Sequence, residues 1–137
     1  MAFLTKDIDR KEKEGKLLAA PVGAGIKIFN GALVKHNASG YLARAAAEAG
    51  AAFAGVSYER VDNTDGSDGD KTCRALKKGA FLMDGTGFAQ SNVGDVVYAK
   101  DDNIVGLTDA GNEQAVGKIV EFISATKVRV LIDGYAV

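Results

Sequence analysis

Four aspartates crowd one short stretch, DNTDGSDGD, where Asp62, Asp65, Asp68 and Asp70 have the look of calcium ligands. Calcium takes about six to eight oxygens, and an EF-hand supplies them at alternate positions with a glycine at the sixth and a glutamate at the twelfth. Here the acids stand three apart and then two, and Lys71 follows where another oxygen would help. The stretch reads as a surface turn in which Asp-Gly steps supply left-handed backbone angles, with no structural metal. His36, the only histidine, stands beside Asn37 in a run of turn formers and reads as a solvated turn residue, not a general base. Ser39, Ser57 and Ser91 lack both a G-x-S-x-G setting and a base nearby in sequence, so nucleophilic catalysis has no candidate. Cys73 lies between Thr72 and Arg74 in a strand-like run and reads as a small buried hydrophobe.

The glycine-rich pieces fare no better. GAGIKIFNG lacks the G-x-G-x-x-G spacing and runs into strand-like residues, so a phosphate would find no helix N-terminus; GTGFAQ fails in the same way. Arg74, Lys77 and Lys78 form a short basic run without interleaved aromatics, which suits an edge strand guarded against pairing better than a nucleic-acid platform. No catalytic, cofactor or metal residue is assigned, and the chain reads as a non-enzyme.

The elements that would have to position any such chemistry are strands. The chain has 137 residues, 17 of them glycine, with one proline and no tryptophan, which is a turn-rich composition for one domain. The net charge is −1, which argues against capture of nucleic acid or an anionic membrane. One cysteine rules out an intramolecular disulfide and fits a reducing cytoplasm, and the charged start MAFLTKDIDRKEKEGK lacks the apolar run of a signal peptide. The expectation is a soluble protein made inside the cell, without a membrane span.

Residues 1–16 differ from the rest, and two readings stay open for them. One is a solvated terminus; the other is an arm that orders on a partner through Phe3, Leu4 and Ile8. Residues 17–137 form a single β-rich domain in which the readable period is two. KLLAAPVGAGIKIF gives short strands broken by Pro21, Gly23 and Gly25. A hairpin joins Ala32–Lys35 to Tyr41–Ala45 through HNASG, and the one credible helix is a turn or two at Ala45–Ala49, ended by Gly50. AFAGVSYERV is a strand; KTCRALKKGAFLMDGTGFAQ holds two more; and DVVYAK–IVGLT and VGKIVEFI–KVRVLIDGY are hairpins. Turn signals every eight to twelve residues or so indicate a mainly β fold, a small barrel or sandwich. In the last hairpin Val128, Val130 and Ile132 share a face against Arg129, Leu131 and Asp133, and Ile119, Glu121 and Ile123 oppose Val120 and Phe122. Faces this mixed suit a barrel wall partly covered by a neighbouring subunit.

The ordered set AGVSYERVDN with its acidic loop, KKGAF, VGDVVYAKDDN and the ending VGKIVE…VRVLIDG resembles the capsid decoration (cement) proteins of tailed bacteriophages. The resemblance spans roughly Phe53 to Gly134, with a weaker match back to PVGAGIKIFNGALV. It implies a non-enzymatic, commonly homotrimeric β protein made in the bacterial host cytoplasm. Such a protein binds the major capsid protein on the outside of the expanded head, at capsomer junctions, and holds the virion against DNA pressure. It also offers the arm residues Phe3, Leu4 and Ile8 a place on the shell. A phage tail or baseplate protein, a small β-barrel module for a ligand or peptide, and a small β-barrel enzyme pairing His36 with an acid are the other classes.

Overall fold

Short β-prone runs punctuated by glycine and aspartate leave little chain for anything but hairpins, and that is how the protein is built. The computed structural model describes residues 5–7 and 16–133. Their strands are β1 (Leu17–Pro21), β2 (Ile26–Ile28), β3 (Leu33–His36), β4 (Leu42–Arg44), β5 (Ala52–Ser57) and β6 (Val61–Asn63). They continue as β7 (Thr72–Leu76), β8 (Lys78–Asp84), β9 (Val96–Ala99), β10 (Val105–Gly106), β11 (Ala115–Ser124) and β12 (Lys127–Asp133). A single 3-10 turn, Gln90–Asn92, precedes β9. The fold is mainly β, as the turn spacing predicts.

Three layers result. The first sheet has the order β1-β7-β5-β3-β4, the second β10-β9-β11-β12-β8, and β2 pairs with β6 in a separate ribbon; every ladder is antiparallel. Val34, Ala54, Cys73 and Ala75 of the first sheet pack with Ile28 and Val61 of the ribbon. Leu33 and Val56 of the same sheet join Val97, Val116, Ile119, Val128, Val130 and Ile132 of the second. Burying each of the larger of these side chains contributes about 1.5–3 kcal/mol. The second sheet curls into a half-barrel, and an isolated parallel bridge from Asp84 to Ile104 draws its two ends together.

Most hairpins fall where the sequence puts them: β3 with β4, β9 with β10, and β11 with β12. Pro21 closes β1, an edge strand, where its missing N–H disturbs no central ladder. Four expectations change. The helix at Ala45–Ala49 does not form; residues 45–48 run without regular structure into a turn at Gly50. Their backbone is committed elsewhere: the Ala45 N–H donates to the Leu33 carbonyl at 3.0 Å and the Glu48 N–H to the Asn112 carbonyl at 2.9 Å. The Ala46 carbonyl accepts from Lys35 Nζ at 3.0 Å and from Gln114 Nε2 at 2.8 Å. Two buried polar side chains thus outbid alanine's helix propensity.

AFAGVSYERV is two strands, because a corner at Tyr58–Arg60 sends β5 into the first sheet and β6 into the ribbon. The basic run is split as well. Arg74 lies on β7, an interior strand, and Lys78 opens β8, which is the edge of the second sheet. Finally, the faces of β11 do not alternate simply. Register shifts between Ile119 and Glu121 and between Phe122 and Ser124 turn Ile119 and Phe122 inward and leave Val120, Glu121 and Ile123 outside. A bulge adds one residue to one strand and so exchanges faces beyond it.

Candidate interaction surfaces

None of the residues weighed for chemistry converge. Among the described residues no group of three or more His, Cys, Asp or Glu is arranged to hold a metal ion. Three aspartates of the acidic loop hold backbone N–H groups instead. Asp62 accepts from the Thr64 N–H at 3.0 Å, Asp70 from the Ser67 N–H at 2.8 Å, and Asp68 from the Ala24 N–H at 2.7 Å. Bonding from the Thr64 hydroxyl and N–H, with Lys27 and Lys71 near, holds the Asp62 carboxyl below its ordinary range. Asn63, which the sequence reading passes over, is the anchor. Buried at the end of β6, its Nδ2 donates to the carbonyls of Val22, Gly23 and Ser67 at 3.3, 2.8 and 3.1 Å. Asparagine is common in turns, and nothing in the sequence marks this one as buried. Around this loop lies an open depression of about 340 Å3 lined by Asp62, Asn63, Asp65, Gly66, Asp70 and Lys71.

His36 ends β3 half-buried, opposite Leu42 and Ala52. Ser57 is a structural hydroxyl: its Oγ donates to the Phe29 carbonyl and accepts the Ala32 N–H. Ser39 sits in the β3–β4 turn, where its N–H donates to Asn37 Oδ1 at 3.0 Å, and Ser91 lies in the 3-10 turn. Cys73 is fully buried, and burial, helped by the Glu59 charge, pushes its thiol up to about 11, far from a reactive thiolate. The arm residues Phe3, Leu4 and Ile8 lie outside the described residues. The chain enters the described domain beside the β7–β8 crossover, where the Lys77 N–H donates to the Lys16 carbonyl at 2.8 Å.

The structure does bring together a surface. On the outer side of the second sheet Leu82, Leu131, Val120 and Ile123 are exposed at 50, 47, 46 and 43 %. The register makes Leu131 the partner of Ala80 and of Lys118, and Leu82 the partner of Arg129, so Leu82 and Leu131 are diagonal neighbours across β8 and β12. Val120 stands at the β11 bulge between the residues that pair with Leu131 and with Arg129. Two ion pairs lie among these side chains, Arg129 Nε with Glu121 at 2.8 Å and Lys127 Nζ with Asp84 at 2.6 Å, and exposed Lys118 stands beside Leu131. The face is therefore mainly aliphatic with most of its charges paired, composed much as the centre of a protein contact is.

A second exposed region has another composition. Phe29, 45 % exposed after β2, has Lys27 Nζ and Arg60 Cζ each 5.2 Å from its ring centroid. Tyr58, 54 % exposed, lies under the Arg74 guanidinium at 5.4 Å. No protein-family model matches the chain, and no curated protein and no solved structure matches it.

Proposed function

We propose that the protein is a capsid decoration protein of a tailed bacteriophage, added in several copies to the outside of the expanded head and holding neighbouring capsomers together. The observation that carries the reading is the bare outer face of the second sheet, where Leu82, Leu131, Val120 and Ile123 stay in water on a strand framework that is otherwise well packed. An aliphatic face whose charges are mostly paired suits a permanent contact, with a second copy or with the major capsid protein, better than a transient one. The order of turn and strand motifs that resembles decoration proteins points the same way.

The mechanism is mass action on an assembly. A protein that binds the intact shell and not its separated capsomers stabilises the shell by about 2.7 kcal/mol per site at a hundredfold excess over the dissociation constant. In a homotrimer at a capsomer junction, the second and third contacts form at high effective concentration, so modest single contacts add up to durable attachment. Expanded heads lacking the protein are expected to lose DNA at lower temperature or under milder osmotic shock, and purified protein added back is expected to restore resistance. The double variant L82S/L131S is expected to keep the fold and to lose most of this protection. Purified wild-type protein that neither sediments with expanded heads nor protects them would overturn the reading.

A further inference from the structure

Phe29 is the odd residue of the ribbon layer. Its neighbour Ile28 is fully buried opposite Val61, while the Phe29 carbonyl is held by the buried Ser57 hydroxyl. The backbone on both sides of the ring is thus fixed, and the phenyl group is presented to water by a rigid support. Arg60 extends from the Tyr58–Arg60 corner and Lys27 from β2, and both reach the same ring. Of the cations here, Arg74 is matched by Glu59 at 3.1 Å and Lys27 faces Asp62 across the ladder, whereas Arg60 forms no ion pair among the described residues. Beside Phe29 a shallow depression of about 260 Å3 runs past Asn30 and Gly31 to Arg44, whose guanidinium bonds Asp102 at 2.7 Å.

We propose that Phe29, Lys27 and Arg60 form a docking site for an acidic segment of a partner protein, with a carboxylate meeting Arg60, the cation without an ion pair, and a neighbouring apolar side chain of the segment lying against the exposed ring. The chemistry favours that occupant. A ring within reach of two cations gains little while water screens them, and gains more once a partner excludes the water. Aromatic residues and arginine supported in this way are the side chains on which binding energy concentrates. A single carboxylate fits a corner where Arg60 is the unmatched cation and Asp62 and Glu59 are close by; the closely spaced phosphates of a nucleic acid would bring further negative charge onto those same acids. On the decoration reading, on which the first test below rests, the segment belongs to the shell, and the corner is a second contact on the ribbon layer.

Co-sedimentation of the full chain with expanded, DNA-free heads tests it across a salt series, with F29A, R60E and L82S/L131S beside the wild type and thermal melts to confirm folding. Reversal at Arg60 is expected to weaken binding roughly tenfold at low salt and less at high salt, and F29A several-fold at both. Wild-type binding with R60E and F29A unchanged overturns the corner and leaves the decoration reading standing. Failure of the wild type to bind heads overturns the decoration reading, and the corner is then judged on a fluorescent peptide of alternating Glu and Leu. Peptide binding by the wild type that R60E abolishes supports it; no peptide binding, or tighter binding to a DNA oligonucleotide than to the peptide, overturns it.

Discussion

The two sheets have five strands each, yet they solve different problems. The first is covered on both sides at β3 and β5, while β1 and β7 keep an exposed face. Leu33, Val34 and Lys35 are consecutive and buried in β3, and Ala54 through Ser57 are all buried in β5. The second is covered once, and β12 alternates between buried Val128, Val130 and Ile132 and the outward Arg129, Leu131 and Asp133. A sheet packed between layers tolerates few large or charged side chains, which is why alanine and glycine fill so much of the first. A sheet covered once keeps a free face, and here that face is aliphatic. Scaffold and spare surface are thus divided between the sheets, and comparing equivalent substitutions in each tests that division.

The largest expected difference is between two leucines. Leu42 is fully buried under the ribbon, and Leu42→Ala removes packing on every side, at about 2–5 kcal/mol. Leu131 is nearly half exposed, and Leu131→Ala should stay within about 0.5 kcal/mol. Urea denaturation of the two variants measures both. Equal losses would mean that the outer face is covered in the free protein and would remove its candidacy as a contact.

A second pair asks whether the sheets share a construction rule. Gly55 in β5 and Gly117 in β11 each sit at a register shift, and a Cβ on either would lie 2.4 Å from the Leu76 carbonyl oxygen or 2.1 Å from that of Leu131. Backbone cannot retreat as a side chain can, so Gly55→Ala and Gly117→Ala should each cost about 1–3 kcal/mol. Gly55 also has φ +148°, which adds strain to its substitution. A thermal melt of G117A matching the wild type would show that β11 moves freely over β12 and that the close approach of Gly117 to Leu131 does not hold the two strands in place.

How much of this could be read in the chain divides along similar lines. Hairpins with polar turns and period-two cores, such as Val128, Val130 and Ile132, are local patterns, and they stand where the sequence places them. The faces of β11 were not legible, because a bulge is decided by the strand opposite and leaves no mark in IVEFIS itself. Nor was the three-layer stacking, since small residues buried on both sides look the same as small residues in a loop. The aliphatic face was half-visible as strands with mixed faces. The Phe29 corner was hidden, because Lys27, Phe29 and Arg60 meet only when β2 pairs with β6.

The alanine run shows the most instructive failure, and it carries the smallest expected effect. Ala45–Glu48 is held extended by a polar clamp that joins the two sheets: Lys35 from the first and Gln114, just ahead of β11, both donate to the Ala46 carbonyl. Glu48 completes the clamp with an ion pair to Lys35 at 2.8 Å and accepts the Ala38 N–H at 3.1 Å. The Lys35 bond, then the Ala38 bond, lowers the Glu48 carboxyl below its ordinary 4.5. A carboxylate whose folded value is depressed adds stability above its unfolded value and loses it as pH falls through the folded value. Glu48→Gln keeps the shape and removes the charge, so its urea midpoint should fall below wild type at neutral pH. Lys35 stays buried and bonded to the Ala46 carbonyl in that variant, which keeps the deficit smaller than those above. The two midpoints should converge as the buffer is taken well below 4.5, since the wild-type carboxyl then becomes neutral as well. A deficit that persisted undiminished in acid would mean that the clamp works through hydrogen-bond geometry alone, and that the charge on Glu48 contributes nothing to holding the alanine run out of a helix.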